Sequence, residues 1–299
     1  MEQKNVKVLI SCHRQVNAIN NSIVNSIAVG AHQKEIEGLA MQDNLGENIS
    51  HLNGRFCELT AQYYAWKNIE ADYYGFFHYR RYLSFNHLDS QCLIKLNGFE
   101  QNLQYDLGLD EQSIQKTVQG VDLIVPYPFH CVSVYRHFKL AHRIADLDFC
   151  LELIKDKYPH FEQAVDSYIN GTNSYQCNMF VAKKEIFFDY CNWLFDILFA
   201  FESQKDYSHC SVQQLRAAGF LAERLFGIYL TYLTQSNANI KILNAPIVLI
   251  KDIDKVVDNK IKAKYSKSLT TKITDLFLPR GNFVREVLKK IYNRLKGKV

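Results

Sequence analysis

Apolar residues along the chain fall into two spacings. Short, nearly unbroken runs, VKVLISC at 6–12, YYGFF at 73–77 and VDLIV at 121–125, read as strands buried on both faces of a sheet. Between them lie stretches whose apolar residues recur every three or four positions, the helical period. CELTAQYYAWKNI places 59, 63, 66 and 69 on one stripe, and IADLDFCLELIKDKYP places 144, 147, 151 and 154 there before Pro159 stops it. Ile23 to Val29 reads as a further strand, and residues 134–170 as mainly helical. NSYQCNMFVAKKEIF reads as a strand entering a helix that runs through Phe201, GFLAERLFGIYLTYL as a helix opened by a glycine turn, and IKILNAPIVLI as a closing strand. Strands interleaved with helices predict an α/β fold, with a mainly parallel central sheet flanked by helices. No internal repeat or low-complexity linker divides the chain. The simplest organisation is one domain over 1–250 and an extension over 251–299.

The residues after the strand 73–77 raise the first chemical question. His78, Arg80 and Arg81 stand where an open α/β sheet presents groups to a ligand, at the carboxyl end of a strand. One reading is a solvated or salt-bridged arginine pair with Tyr79 and Tyr82 packing beside it. The other is anion recognition, because guanidinium offers fixed donors that match phosphate oxygens two at a time. Two arginines and a histidine suit a diphosphate. His13 and Arg14 follow the first strand in the same way.

Charge and cysteine content narrow the class. The chain has a formal net charge of +4. Arg280 to Lys298 holds seven Lys or Arg against Glu286, so the remainder is slightly acidic. That distribution, with no RNA-binding or helix-turn-helix signature, excludes a uniformly basic nucleic-acid binder. FVREVLKKIYNRLKGKV puts Phe283, Val284, Val287, Leu288, Ile291, Tyr292 and Leu295 on one helical stripe with cations away from it. This is the pattern of a basic helix lying on a membrane surface, or of a helix docked on its own domain. The eight cysteines form no CxxC or Cys/His zinc spacing, and reduced buried thiols are expected. A mean hydropathy of −0.20 and the absence of a long apolar run predict no membrane span, and the start reads as that of a cytosolic protein.

CELTAQYYAWKN, ADYYGFFHYRRYL, IADLDFCLELIKDKYP, CNMFVAKKEIF and GFLAERLF, in this order over roughly residues 6–250, resemble a bacterial family of capsule and O-antigen gene clusters. That family was first catalogued as a domain of unknown function, and members have been assigned as galactofuranosyltransferases. The resemblance implies a GT-A-type glycosyltransferase fold. It also implies transfer of galactofuranose from UDP-galactofuranose to a saccharide acceptor, with inversion to a β-linkage, in surface polysaccharide synthesis. A lipid-linked acceptor at the inner face of the plasma membrane would suit the basic tail, since anionic lipid attracts such segments. A UDP-hexopyranose donor on the same fold and a non-catalytic sugar-nucleotide-binding partner of an assembly complex are the alternatives.

The resemblance places His78, Arg80 and Arg81 in the block of most interest, beside His13 and Arg14, where family members often have His-Lys. Asp43, Asn48 and Glu58 belong to a stretch resembling DNxGxNIS followed by CELT. A nucleotide-recognition role and a turn- or helix-capping role both fit them. Inverting transfer needs a base for the acceptor proton, and Glu223 is the first candidate, Asp146 the second. The alternative for Glu223 is a Glu223–Arg224 surface or first-turn charge favoured by the helix dipole. Asp146 and Asp148 form a DxD inside a predicted helix, where residues two apart do not face each other, so no metal site is assigned. A divalent ion, Mn or Mg, is left as an option rather than a requirement. Asn178 is a donor-sugar candidate because an amide in an apolar setting must find partners. Tyr127 and His142 are acceptor-side candidates.

Overall fold

The computed structural model describes residues 3–32, 36–88 and 93–257. The basic stripe at 280–299, and all of the extension beyond 257, lie outside them. In chain order the strands are β1 (Val6–Cys12), β2 (Val24–Ala28), β3 (Met41–Gln42), β4 (Tyr73–His78), β5 (Arg81–Leu83), β6 (Ile94–Leu96), β7 (Phe99–Glu100), β8 (Leu123–Pro126), β9 (Phe129–His130), β10 (Asn173–Ser174), β11 (Phe180–Lys183), β12 (Ile242–Ala245), β13 (Ile247–Ile250) and β14 (Val256–Val257). The α-helices are α1 (Asn53–Phe56), α2 (Leu59–Asn68), α3 (Leu103–Asp106), α4 (Glu111–Val118), α5 (Val134–Ala141), α6 (Ile144–Lys157), α7 (Glu162–Asn170), α8 (Lys184–Gln204), α9 (Val212–Leu215) and α10 (Ala217–Ser236).

The main sheet runs β12-β8-β11-β4-β1-β2-β3. β11 is antiparallel to both its neighbours, and every other pair along this path is parallel. Side chains alternate between the two faces. Val6, Val8, Ile10 and Cys12 of β1 join one cluster with β5, β6, β13, α3 and α4, while Leu9 points into the other. That other cluster contains the buried faces of α2, α5, α6, α7, α8 and α10. Helices thus cover one face fully, and a shorter strand layer with α3 and α4 covers the other. Gly75 in β4 sits where a Cβ would lie 2.8 Å from Val8 and 3.0 Å from Val181, so the central strand needs glycine to pass between its neighbours. This mixed sheet with one reversed strand is the GT-A arrangement expected from the resemblance.

Two boundaries differ from the sequence reading, each for a local reason. IKILNAPIVLI is not one strand: it divides at Pro246 into β12, paired with β8, and β13, paired with β5 and β6. Proline has no N–H for a ladder, and here only its carbonyl is used, accepting from Ser84 N at 3.0 Å. Gly219 is not a turn before a helix but lies within α10, where a Cβ would sit 3.3 Å from Cys57 Sγ. Its role is close approach.

Candidate active site

β1 and β4 lie in parallel register, with Ser11 opposite His78, so their carboxyl ends deliver His13–Arg14 and His78–Arg81 side by side. Buried Tyr79 is the hub. His13 meets its ring edge-on at 4.8 Å, His78 lies at 4.5 Å, and the Arg80 guanidinium stands over it at 5.2 Å. Arg14 reaches toward the same ring at 6.0 Å but is held by Asp254 through two hydrogen bonds of 2.9 Å. Burial pushes the His78 pKa down to about 3, and Arg81, Arg80, His13 and Arg216 push it the same way. His78 is therefore a neutral imidazole among cations. Its Nδ1 and the Nε of Arg80 are buried without a hydrogen-bond partner. A buried guanidinium N–H and a buried imidazole nitrogen without partners, beside several positive charges, are an environment that suits an anion.

A second group of residues adjoins this one through Arg216, whose charge is felt by His78 and by Glu58 and Glu223. The non-glycine residues with positive φ among the described residues are Cys57 (φ 54°), Cys177 (φ 76°) and Asn178 (φ 48°), and they converge here. Cys57 precedes Glu58 at the start of α2, and its Sγ accepts from Arg216 Nε at 3.1 Å. The backbone N–H of Cys177 donates to Glu223 Oε1 at 2.7 Å. Asn178 donates through Nδ2 to Glu58 Oε1 at 2.8 Å and to the Gly219 carbonyl at 3.0 Å. Left-handed backbone at a non-glycine residue costs on the order of 1–3 kcal/mol, and it persists where surrounding contacts over-determine it. Here those contacts position two carboxyl groups. Burial raises the Glu58 pKa, the Asn178 hydrogen bond opposes this, and the Glu223 charge adds to the rise. Asn178 Oδ1 is buried and has no partner, which leaves an acceptor at the site.

Glu223 is in the second turn of α10. One oxygen takes the Cys177 N–H, and the other is paired with Arg224, which is 1% exposed. The other end of this guanidinium lies 3.1 Å from His137 Nδ1 and stands over Phe138 at 5.3 Å. Burial first, and then Arg224, lower the His137 pKa to about 4. The first-turn surface charge weighed for Glu223–Arg224 is therefore replaced by a pair whose arginine is in the core.

The remaining candidates are placed elsewhere. Asp43 is fully buried. Its carboxylate accepts from Gly30 N, Ala31 N, Ser50 Oγ and Thr60 Oγ1 at 2.5–3.1 Å and ties β2 and β3 to α2. Asn48 folds its own loop, donating to the Gly46 carbonyl and accepting from Ser50 N. Tyr127 donates to the Leu88 carbonyl at 2.7 Å. His142 stacks on Phe220 at 4.1 Å, close enough to Arg224 and His137 that they add to the burial which lowers its pKa to about 3. Asp146 is 7% exposed and accepts from Lys205 at 2.5 Å, while Asp148 accepts from Tyr135 at 3.0 Å, so the DxD pair diverges as helix geometry requires. Among the described residues no cluster of three or more His, Cys, Asp or Glu is arranged to hold a metal ion. Arg216, Arg224 and His137 were not found by sequence reasoning. Arg224 is spaced as a core residue of α10, a signal that its charge obscures, and nothing in the sequence marks Arg216.

One solved structure that matches is titled "WbbM bifunctional glycosytransferase apo structure", with a TM-score of 0.79 and 30% sequence identity over 86% of this chain. The match spans 48% of that protein, so this chain corresponds to about half of it. No curated protein matches the chain. The family described as "Domain of unknown function (DUF4422)" matches residues 7–238, which carry β1, β4, β11, α10 and every side chain of the two clusters apart from Asp254, and the chain belongs to that family.

Proposed function

We propose that the chain is a glycosyltransferase that moves galactofuranose from UDP-galactofuranose to a saccharide acceptor in bacterial surface polysaccharide synthesis. The observation that carries this is the junction of a cation cluster at the ends of β1 and β4 with the pair Glu58 and Glu223, linked by Arg216. A diphosphate fits the first and a sugar the second. The likeness to a bifunctional glycosyltransferase supports the class. The choice of galactofuranose follows the sequence resemblance.

In the proposed reaction Glu223 takes the proton of an acceptor hydroxyl, whose oxygen attacks the anomeric carbon from the side opposite UDP. The bond from that carbon to the diphosphate breaks with its electron pair, giving a β-linkage by inversion. Arg80, Arg81 and His78 meet the charge that develops on the leaving UDP, with His13 and Arg14 beside them. Asn178 and Glu58 hold the donor sugar, and Asp43 and Asn48 shape the nucleotide side from behind. Where a metal-dependent enzyme would place carboxylates, β4 ends in cations, so fixed arginines supply the stabilisation and an Mn or Mg ion is an accessory. His142 and Tyr127 face the acceptor side. No helix among the described residues is long and apolar enough to cross a membrane. The basic stripe at 280–299 would bring the enzyme to the inner face of the plasma membrane, where a lipid-linked acceptor resides. UDP release from UDP-galactofuranose, measured with an acceptor panel and against UDP-hexopyranoses, tests the assignment. A chain that binds UDP-galactofuranose but never releases UDP is a binding partner, and the proposal fails.

A further inference from the structure

A concavity of about 380 Å³ lies outside the two clusters. One wall is the first turns of α6, carrying Arg143, Asp146 and Phe149. The other is the end of α8 and the connection to α10, carrying Lys205, His209 and Gln214. At its base Lys205 and Asp146 form an ion pair whose side chains are 5% and 9% exposed. Desolvating two charges costs several kcal/mol per ion before their attraction is counted, so such a pair is a poor device for stability alone. Facing a polar cavity, it is a fixed donor beside a fixed acceptor.

The lining is balanced in charge. Arg143 and Lys205 oppose Asp146 and Asp206, which argues against a phosphate or another strong anion as the occupant. Phe149 and Phe201, with ring centres 6.0 Å apart, add apolar surface. Charged donors and acceptors beside two aromatic rings match a sugar, which has hydroxyls at its rim and C–H groups on its face. The cavity also adjoins the reaction centre. His142, next to Arg143, stacks on Phe220, and Phe220 carries the Arg216 guanidinium at 5.5 Å. Gln214 lines the cavity two residues before Arg216.

We propose that this cavity is a saccharide subsite that holds a neutral sugar of the acceptor chain, one or more units away from the hydroxyl that reacts. It rests on the glycosyltransferase reading for its role but not for its occupancy. Cys210 lines the cavity as a partly exposed thiol, so occupancy can be read without turnover. The experiment uses the full chain and methyl galactosides of one, two and three sugars. Peptide mass spectrometry follows iodoacetamide alkylation of Cys210, with Cys131 as the internal control. The di- and trisaccharide should slow alkylation of Cys210 at least threefold, and inorganic phosphate should not. Ala145→Trp, on an exposed position of the lining, should abolish the protection. In turnover assays it should raise KM for the trisaccharide about tenfold while leaving KM for the UDP-sugar unchanged. Protection without UDP release from any donor would keep the subsite and remove the transferase reading. Absence of protection by all three saccharides, protection by phosphate instead, or protection that survives Ala145→Trp would overturn the subsite.

Discussion

Arg224, 1% exposed in the second turn of α10, is paired with Oε2 of Glu223, the residue just before it. Glu223 is thus both the proposed base and the counter-charge of a core arginine. Removing one partner of a buried pair costs about 3–5 kcal/mol, because the other charge is left uncompensated. Glu223→Gln should therefore lose stability as well as activity. Glu223→Gln with Arg224→Met should regain much of the stability and none of the activity. Urea unfolding beside UDP release separates the two effects. A double variant that turns over would remove Glu223 from the chemistry.

At the end of β4, Arg80 and Arg81 are proposed to meet the charge on the leaving diphosphate. Either alanine variant should lower turnover by ~10²-fold or more, the scale for losing one preorganised donor. Lysine should restore only part, because a point charge does not copy the guanidinium fork. Arg216 makes a finer test. It touches Cys57 and senses both Glu58 and His78, so Arg216→Ala should weaken UDP binding and also alter the pH profile of turnover. Wild-type kinetics in all three would end the anion-site assignment.

Much of this was legible in the sequence because strand ends announce themselves. The apolar run 73–77 followed by HYRR located the cation cluster, and the positions 59, 63 and 66 gave the buried face of α2. What escaped depends on distant contacts. Pro246 was visible, but the different partners of β12 and β13 were not. Arg224 reads as a surface charge until α7 and α5 close over α10, and Arg216 matters only because the connection from α8 returns to Cys57. Asp43 looked like a ligand group since Asx residues in glycine-rich loops serve both purposes. Its four donors make it a fastener between β2, β3 and α2.

Metal dependence follows from the same cations. With His78, Arg80 and Arg81 where a metal enzyme would hold carboxylates, turnover should persist at a substantial fraction in EDTA, and added Mn or Mg should stimulate only modestly. Complete loss in EDTA, restored by manganese, would show that fixed arginines are insufficient.

Gly227 offers a test of the packing beneath the site. A Cβ there would fall 1.9 Å from the Tyr168 ring, which lies flush on α10. Alanine is favoured over glycine within a helix by about 1 kcal/mol, but overpacking a rigid contact costs about 1–3 kcal/mol or more. Gly227→Ala should thus be net destabilising by denaturant titration. In a Tyr168→Ala background the same change should become neutral or stabilising, a coupling a double-mutant cycle measures directly.

Stability should depend on pH through three partly buried histidines. His78 and His142 are lowered to about 3 and His137 to about 4, in each case chiefly by burial, from an ordinary value of 6.5. Between the folded and unfolded values the unfolded chain binds protons that the folded chain refuses, so stability falls as pH drops from 6.5. Each such histidine contributes a slope of up to about 1.4 kcal/mol per pH unit. Glu58 acts in the opposite sense, because its raised folded value favours the native state as pH falls through it. The lowered carboxylates, Asp254 among them, lose their contribution only below their ordinary value of 3.8. Urea midpoints should therefore decline from pH 7 to pH 5, and His137→Gln should flatten the decline. UDP should reverse part of it. An anion beside His78 favours imidazolium, so UDP binding at pH 6 should take up protons, read by calorimetry in buffers of different ionisation enthalpy. UDP binding with no proton uptake at pH 6 would place the diphosphate away from His78.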